Sequence, residues 1–111
     1  MTFACQMTAR GTPEAPASVP MQWTGIFDLD TKDFSLGPII GLGITVENPD
    51  WIIAQQSLDL GKGGVMAGFV SLERASGKIE YASFGSYCVR DDCKETRYET
   101  RLWSGICSPG F

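Results

Sequence analysis

Apolar and polar positions alternate along most of this chain. In residues 2–10, Phe3, Cys5 and Met7 share one side while Ala4, Gln6 and Thr8 share the other. A period of two sends successive side chains to opposite faces of an extended strand. Residues 21–29 repeat the pattern with Met21, Trp23, Phe27 and Leu29 on one side and Gly25 between them. A short run at 34–36 stops at Gly37-Pro38. Residues 39–47 read as a strand carrying Gly41 and Gly43 on one face, and glycine inside a strand marks a bulge, a bend or a close backbone approach. Residues 51–60 begin apolar and then alternate. Residues 65–74 set Met66, Gly68, Val70 and Leu72 against Val65, Ala67, Phe69 and Ser71. Residues 79–89 and 95–107 complete the set.

The breaks between these runs are turn chemistry. Pro13, Pro16 and Pro20 punctuate residues 11–20, where fixed φ angles and missing N–H donors predict an extended loop. Residues 28–33 (Asp-Leu-Asp-Thr-Lys-Asp) and 47–50 (Glu-Asn-Pro-Asp) are polar turns, and Gly61-Lys62-Gly63-Gly64 interrupts another strand. Residues 75–78 form a tight turn in which Gly77 can adopt positive φ. Almost no 3.6-residue periodicity is present. These features predict an all-β domain, an antiparallel barrel or sandwich of about eight strands, with Phe3, Met7, Trp23, Phe27, Ile53, Phe69 and Tyr81 in or near the core. The last strand breaks the pattern. Cys107 shares parity with Trp103 but also with Arg101, Glu99 and Arg97, so a bulge near Gly105 is expected to reset the register.

The chain's 111 residues suit one domain spanning 1–111, large enough for one hydrophobic core. Thirteen acidic residues against nine basic ones leave a net charge of −4. With no cationic run to neutralise phosphates, nucleic acid is not an expected partner. No apolar stretch approaches the roughly 20 residues of a membrane-spanning helix. Met1 leads into Phe3-Ala4-Cys5 with neither a basic start nor an apolar core, so no signal peptide is read. Histidine is absent altogether. That excludes Ser-His and Cys-His nucleophile pairs and removes the commonest metal ligand.

The four cysteines are Cys5, Cys88, Cys93 and Cys107. A zinc site would want close Cys pairs repeated, or histidine, and a thioredoxin-like redox pair would want Cys-x-x-Cys beside a helix. Free buried thiols are the plain alternative. Two disulfides fit the spacing best: Cys88–Cys93 closing a short loop, and Cys5–Cys107 tying the first strand to the last. If those strands are neighbours, the sheet closes on itself. Paired cysteines in a small chain belong to an oxidising compartment, so a periplasmic or secreted location is expected.

Other candidates are weaker. The acidic turn at 28–33 lacks the glycine and distal glutamate of an EF-hand loop and reads as a solvated turn. The glycines at 61–64 and at Gly41 and Gly43 lack the context of phosphate-binding loops. Paired carboxylates in principle hydrolyse glycosides, yet Asp59 and Glu80 point outward by strand alternation. Trp23, Trp51 and Trp103 read as core before they read as a sugar platform. No cofactor, metal site or catalytic residue is expected.

One stretch, Ala75-Ser76-Gly77-Lys78-Ile79-Glu80-Tyr81, together with cysteines in the first and last strands, resembles the small bacterial inhibitors of c-type lysozyme. The resemblance rests on Ser76 and Gly77 within a matching layout. The tyrosine falls one position late, and the family's downstream Trp-x-Lys-Gly segment is missing. It implies a disulfide-held antiparallel barrel whose Ser-Gly loop enters the lysozyme cleft, with Ser76, Gly77 and Lys78 as the binding residues. The expected function is therefore a non-catalytic exported binding protein with a protein partner, inhibiting a hydrolase such as lysozyme in its sharpest form. A structural or interaction domain and a carboxylate-dependent hydrolase are the alternatives.

Overall fold

The structure is a computed structural model, which describes residues 1–10, 20–61, 63–89 and 93–108. It contains eight strands: β1 (Thr2–Ala9), β2 (Met21–Asp28), β3 (Asp33–Leu36), β4 (Ile39–Glu47), β5 (Trp51–Gly61), β6 (Gly64–Glu73), β7 (Lys78–Cys88) and β8 (Thr96–Cys107). Each pairs antiparallel with the next, and β8 returns to β1, so the sheet is a closed barrel. The Pro-rich loop expected at 11–20 lies, but for Pro20, outside the described residues.

Alternation decides which side chains enter. Phe3, Cys5 and Met7 of β1 face inward, as do Trp23 and Phe27 of β2, Phe34 and Leu36 of β3, and Leu42 and Ile44 of β4. Ile52, Ala54, Val70, Leu72, Ile79, Tyr81 and Cys107 complete the core. Phe3, Phe27 and Phe34 plug the end where β1 begins, with ring centroids 5.7 to 6.1 Å apart. Each such ring stabilises the fold by about 1.5–3 kcal/mol through burial, and tilted or offset rings add to it.

Closure brings Cys5 opposite Cys107 in the β1–β8 register, and the two form a disulfide. Cys88 and Cys93 form the second. Both pairings match the sequence expectation and fit an oxidising environment. Beside the first disulfide, Gly105 faces Met7 across the seam. A β-carbon there would collide with the Gln6 carbonyl oxygen and lie 2.7 Å from the Met7 sulfur. Glycine is what lets β1 approach β8 closely enough to pair.

Three expectations need correction. Phe69 is 52% exposed, and Ile53 is only half buried. β6 has apolar residues on both faces, and the curvature of the barrel selects Val70 and Leu72 for the inside. Next to them the interior is already filled by Tyr81 and Gln56, so β6 offers only Gly68, where a β-carbon would sit 3.1 Å from the Tyr81 hydroxyl. Nor does a bulge interrupt the last strand. The β7–β8 register runs unbroken from Cys88↔Thr96 to Lys78↔Ile106. The irregularities fall elsewhere: in β4, at its register shifts with β3 and β5, and at the end of β5, between Asp59 and Gly61. The first β4 shift brackets Gly41, as expected of a strand glycine, whereas Gly43 pairs regularly and the second shift falls beyond it, between Ile44 and Val46.

In the acidic β2–β3 turn, one Asp28 carboxylate oxygen accepts hydrogen bonds from the backbone N–H groups of Asp30 (2.8 Å) and Thr31 (3.3 Å). These bonds hold the Asp28 carboxyl below its ordinary pKa. The carboxylate thus serves its own turn, as the solvated-turn reading expects.

Two stability measurements follow. Replacing Cys5 and Cys107 together with serine should cost roughly 4–5 kcal/mol in denaturant unfolding, because the loop they close is long, whereas the Cys88/Cys93 double replacement should cost about 2. Gly105→Ala should destabilise by about 1–3 kcal/mol through overpacking at the seam. Gly85→Ala, whose nearest foreign atom would be 3.5 Å away, should have little effect by comparison.

Candidate functional site

The two ends of the barrel differ. At the end plugged by phenylalanines, residues 74–77 connect β6 to β7. Gly77 adopts φ +76°, as its place in a tight turn requires, but it is buried instead of standing at a tip. Its carbonyl oxygen accepts the Cys107 N–H at 2.8 Å, and a side chain there would strike the Cys107 carbonyl oxygen. Ser76 is exposed, and its hydroxyl oxygen accepts the Lys78 N–H at 3.1 Å. The Lys78 ammonium is exposed, 3.9 Å from Glu80. On the other side Arg74 donates to Glu47 (2.7 Å) and to the Asn48 carbonyl (2.9 Å). The turn is pinned to β8 at one flank and to the β4–β5 turn at the other. It presents Ser76 and Lys78 outward, with Gly77 serving the fold.

The opposite end is open. β5 to β8 have 10 to 12 residues each, against eight in β1 and β2 and four in β3. The long strands overshoot the short ones and curl around a cavity of about 380 Å³. Its floor is Trp23 against Trp103, with ring centroids 4.4 Å apart, together with Tyr81, Gln56 and Ser83. Ile39, Ile40, Leu58, Leu60 and Met66 form an apolar wall, while Tyr87, Glu99 and Arg101 stand across from them. The charges on Arg97, Glu99 and Arg101 argue against all of them sharing the core face with Trp103 and Cys107. Glu99 and Arg101 do share that face with Trp103, because the barrel is wet at this level and neither charge is desolvated. Their side chains are mostly exposed and form an ion pair at 3.6 Å. At the rim, a β-carbon on Gly63 would lie 2.8 Å from the Cys88 sulfur, so the β5–β6 turn packs directly on the second disulfide.

Gln56 shares the parity of the buried Ile52 and Ala54, but its polar side chain conceals its burial. It is only 8% exposed, and its side-chain carbonyl oxygen is buried without a hydrogen-bond partner among the described residues. The polarity of a glutamine gives no local signal of burial. Its position becomes visible only when β4 and β6 close over it.

Asp59 and Glu80 point outward, as alternation requires, and the Asp59 carboxylate accepts the Gly61 N–H at 2.8 Å. Among the described residues no cluster of three or more His, Cys, Asp or Glu side chains is placed to hold a metal ion. None of their helices is long and apolar enough to cross a membrane. The arrangement at the open end suits binding: an apolar wall, a neutral polar floor and a charge-paired rim. Comparison with known proteins found no matching family model, no matching curated protein and no matching solved structure.

Proposed function

We propose that this chain is a non-catalytic binding protein, exported to the periplasm or secreted, whose ligand occupies the open end of the barrel. The observation that carries this reading is the cavity itself, sealed below by the Trp23–Trp103 pair and walled by the overshooting strands. Mouths of eight-stranded barrels hold one small ligand, and about 300–1,000 Å³ is the usual span of such sites. A carboxylate-dependent hydrolase would need two acids facing each other across the substrate. Glu99 is the only acid among the described lining residues, and Arg101 beside it offsets its charge.

A second reading, inhibition of a hydrolase such as c-type lysozyme, is favoured by the turn at 74–77. Ser76 and Lys78 are exposed on a segment braced at both flanks, so little conformational freedom would be lost on docking. The net charge of −4 would also draw in a cationic enzyme over long range.

Thermal-shift measurements against a chemically diverse small-molecule set test the first reading. Compounds that bind the mouth should stabilise the oxidised protein, by about 2.7 kcal/mol at a hundredfold excess over Kd. They should lose that effect with Met66→Trp, which places a large ring at the half-buried entrance. If no compound stabilises the protein, or if the variant responds like the parent, the reading fails. The inhibitor reading predicts that the protein in molar excess lowers c-type lysozyme activity. Ser76→Trp should abolish this while changing stability by no more than about 0.5 kcal/mol, the scale of a surface change. Unchanged lysozyme activity with the unaltered protein would eliminate it.

A further inference from the structure

We infer that the ligand of the open end is a short neutral saccharide, read by Gln56. This rests on the cavity being a binding site and identifies what the cavity takes. The Gln56 amide crosses the floor from β4 to β6. Its carbonyl oxygen lies 3.9 Å from where a Gly41 β-carbon would be, and its nitrogen lies 3.4 Å from the corresponding point at Gly68. The carbonyl oxygen has no hydrogen-bond partner among the described residues. A buried acceptor left unpaired is costly, and proteins retain such a group where something else completes it. The missing partner is a donor, an O–H or N–H, brought by the ligand. The side-chain amide turns about a broad, two-fold terminal torsion, so its oxygen can swing toward a donor entering from the mouth.

The rest of the floor narrows the class. Ser83, 9% exposed, and Tyr81, 3% exposed, line the floor beside Gln56, and their hydroxyls both donate and accept. None of the described floor residues is charged, so an anionic or cationic group reaching that depth would be desolvated without a counter-ion. An alkyl chain inserted tail-first would cover the Gln56 oxygen and leave it unpaired, which argues against a fatty acid despite the apolar wall. A sugar ring satisfies both surfaces. Its hydroxyl edge supplies several donors and acceptors on a neutral body, while its C–H face lies against Leu58 and Met66. At the rim the Glu99 carboxylate and the Arg101 guanidinium present an acceptor and a donor fork side by side, the complement of adjacent hydroxyls on a second ring.

The test titrates the oxidised protein with maltose, cellobiose and N,N′-diacetylchitobiose, and with decanoate as the alkyl probe. Binding is followed by calorimetry and by the fluorescence of Trp23 and Trp103. At least one disaccharide should bind saturably, at least tenfold more tightly than decanoate. Gln56→Leu should weaken that disaccharide at least tenfold while leaving the thermal midpoint of the free protein unchanged or higher, because it removes an unpaired buried oxygen. A residue with a purely structural role would lower the midpoint instead. Three results overturn the inference: no saturable binding of any of the disaccharides at tens of millimolar, tighter binding of decanoate, or unweakened disaccharide binding by Gln56→Leu. Should decanoate bind and Met66→Trp block it, the cavity stands as a binding site and only the ligand class is wrong. If neither these probes nor the wider compound set bind at the mouth, both readings fall.

Discussion

The pairing of β1 with β8 is the contact on which the barrel depends. Without it the eight strands would form an open sheet with two unpaired edges, each a template for association. The entropic penalty of bringing together segments about a hundred residues apart grows only slowly with length, but nothing local offsets it. The seam is therefore built from features that work only once it has formed. Gly105 admits the Gln6 carbonyl at close range, Met7 fills the space behind, and the Cys5–Cys107 bond fixes the result. The turn at residues 74–77 is anchored to this same seam through Gly77 and Cys107. The surface carrying Ser76 and Lys78 is thus a by-product of closure.

Unequal strand lengths produce the other end. Four long strands paired with shorter ones cannot finish level, and each extra residue carries the sheet about 3.3 Å further. The overshoot has an inner face with no opposite side to pack against. Its residues change character along the strand, from Val70 and Tyr81 in the core, through Gln56 and Ser83, to Glu99 and Arg101. The Cys88–Cys93 bond, packed on the β5–β6 turn, braces the projecting part. The two disulfides divide the work, one closing the barrel and the other stiffening its lip.

Much of this was legible in the residues themselves. A period of two is a strong signal, and it located all eight strands to within a residue or two. The cysteine pairing was readable because one cysteine sits in the first strand and one in the last, where only closure brings them together. Facing direction was legible on β2, where Trp23 and Phe27 oppose polar neighbours, and illegible on β6, where Phe69 and Val70 are equally apolar. There the outcome depends on what Tyr81 and Gln56 have already filled. Charge misled on β8, since the rule that charged residues face outward assumes a dry interior, and at Arg101 the interior is open to water. Gly77 was recognised as a turn glycine, but its burial depends on where β8 ends, which no local pattern encodes.

The cross-strand disulfide also acts as a record of alignment. Strand faces alternate with every residue, so slipping β8 by one position against β1 would set Cys5 opposite Ile106 or Ser108 and turn Cys107 away from the interior. A chain misaligned by one residue cannot oxidise this pair, and a chain that has done so has its first and last strands in the native alignment. The bond thereby certifies the topology of the whole barrel, because the two strands it joins become neighbours only after the six between them have curved round to meet. An oxidising compartment would lock in correctly wound molecules and leave this pair reduced in the others, with two thiols to mark them as unfinished.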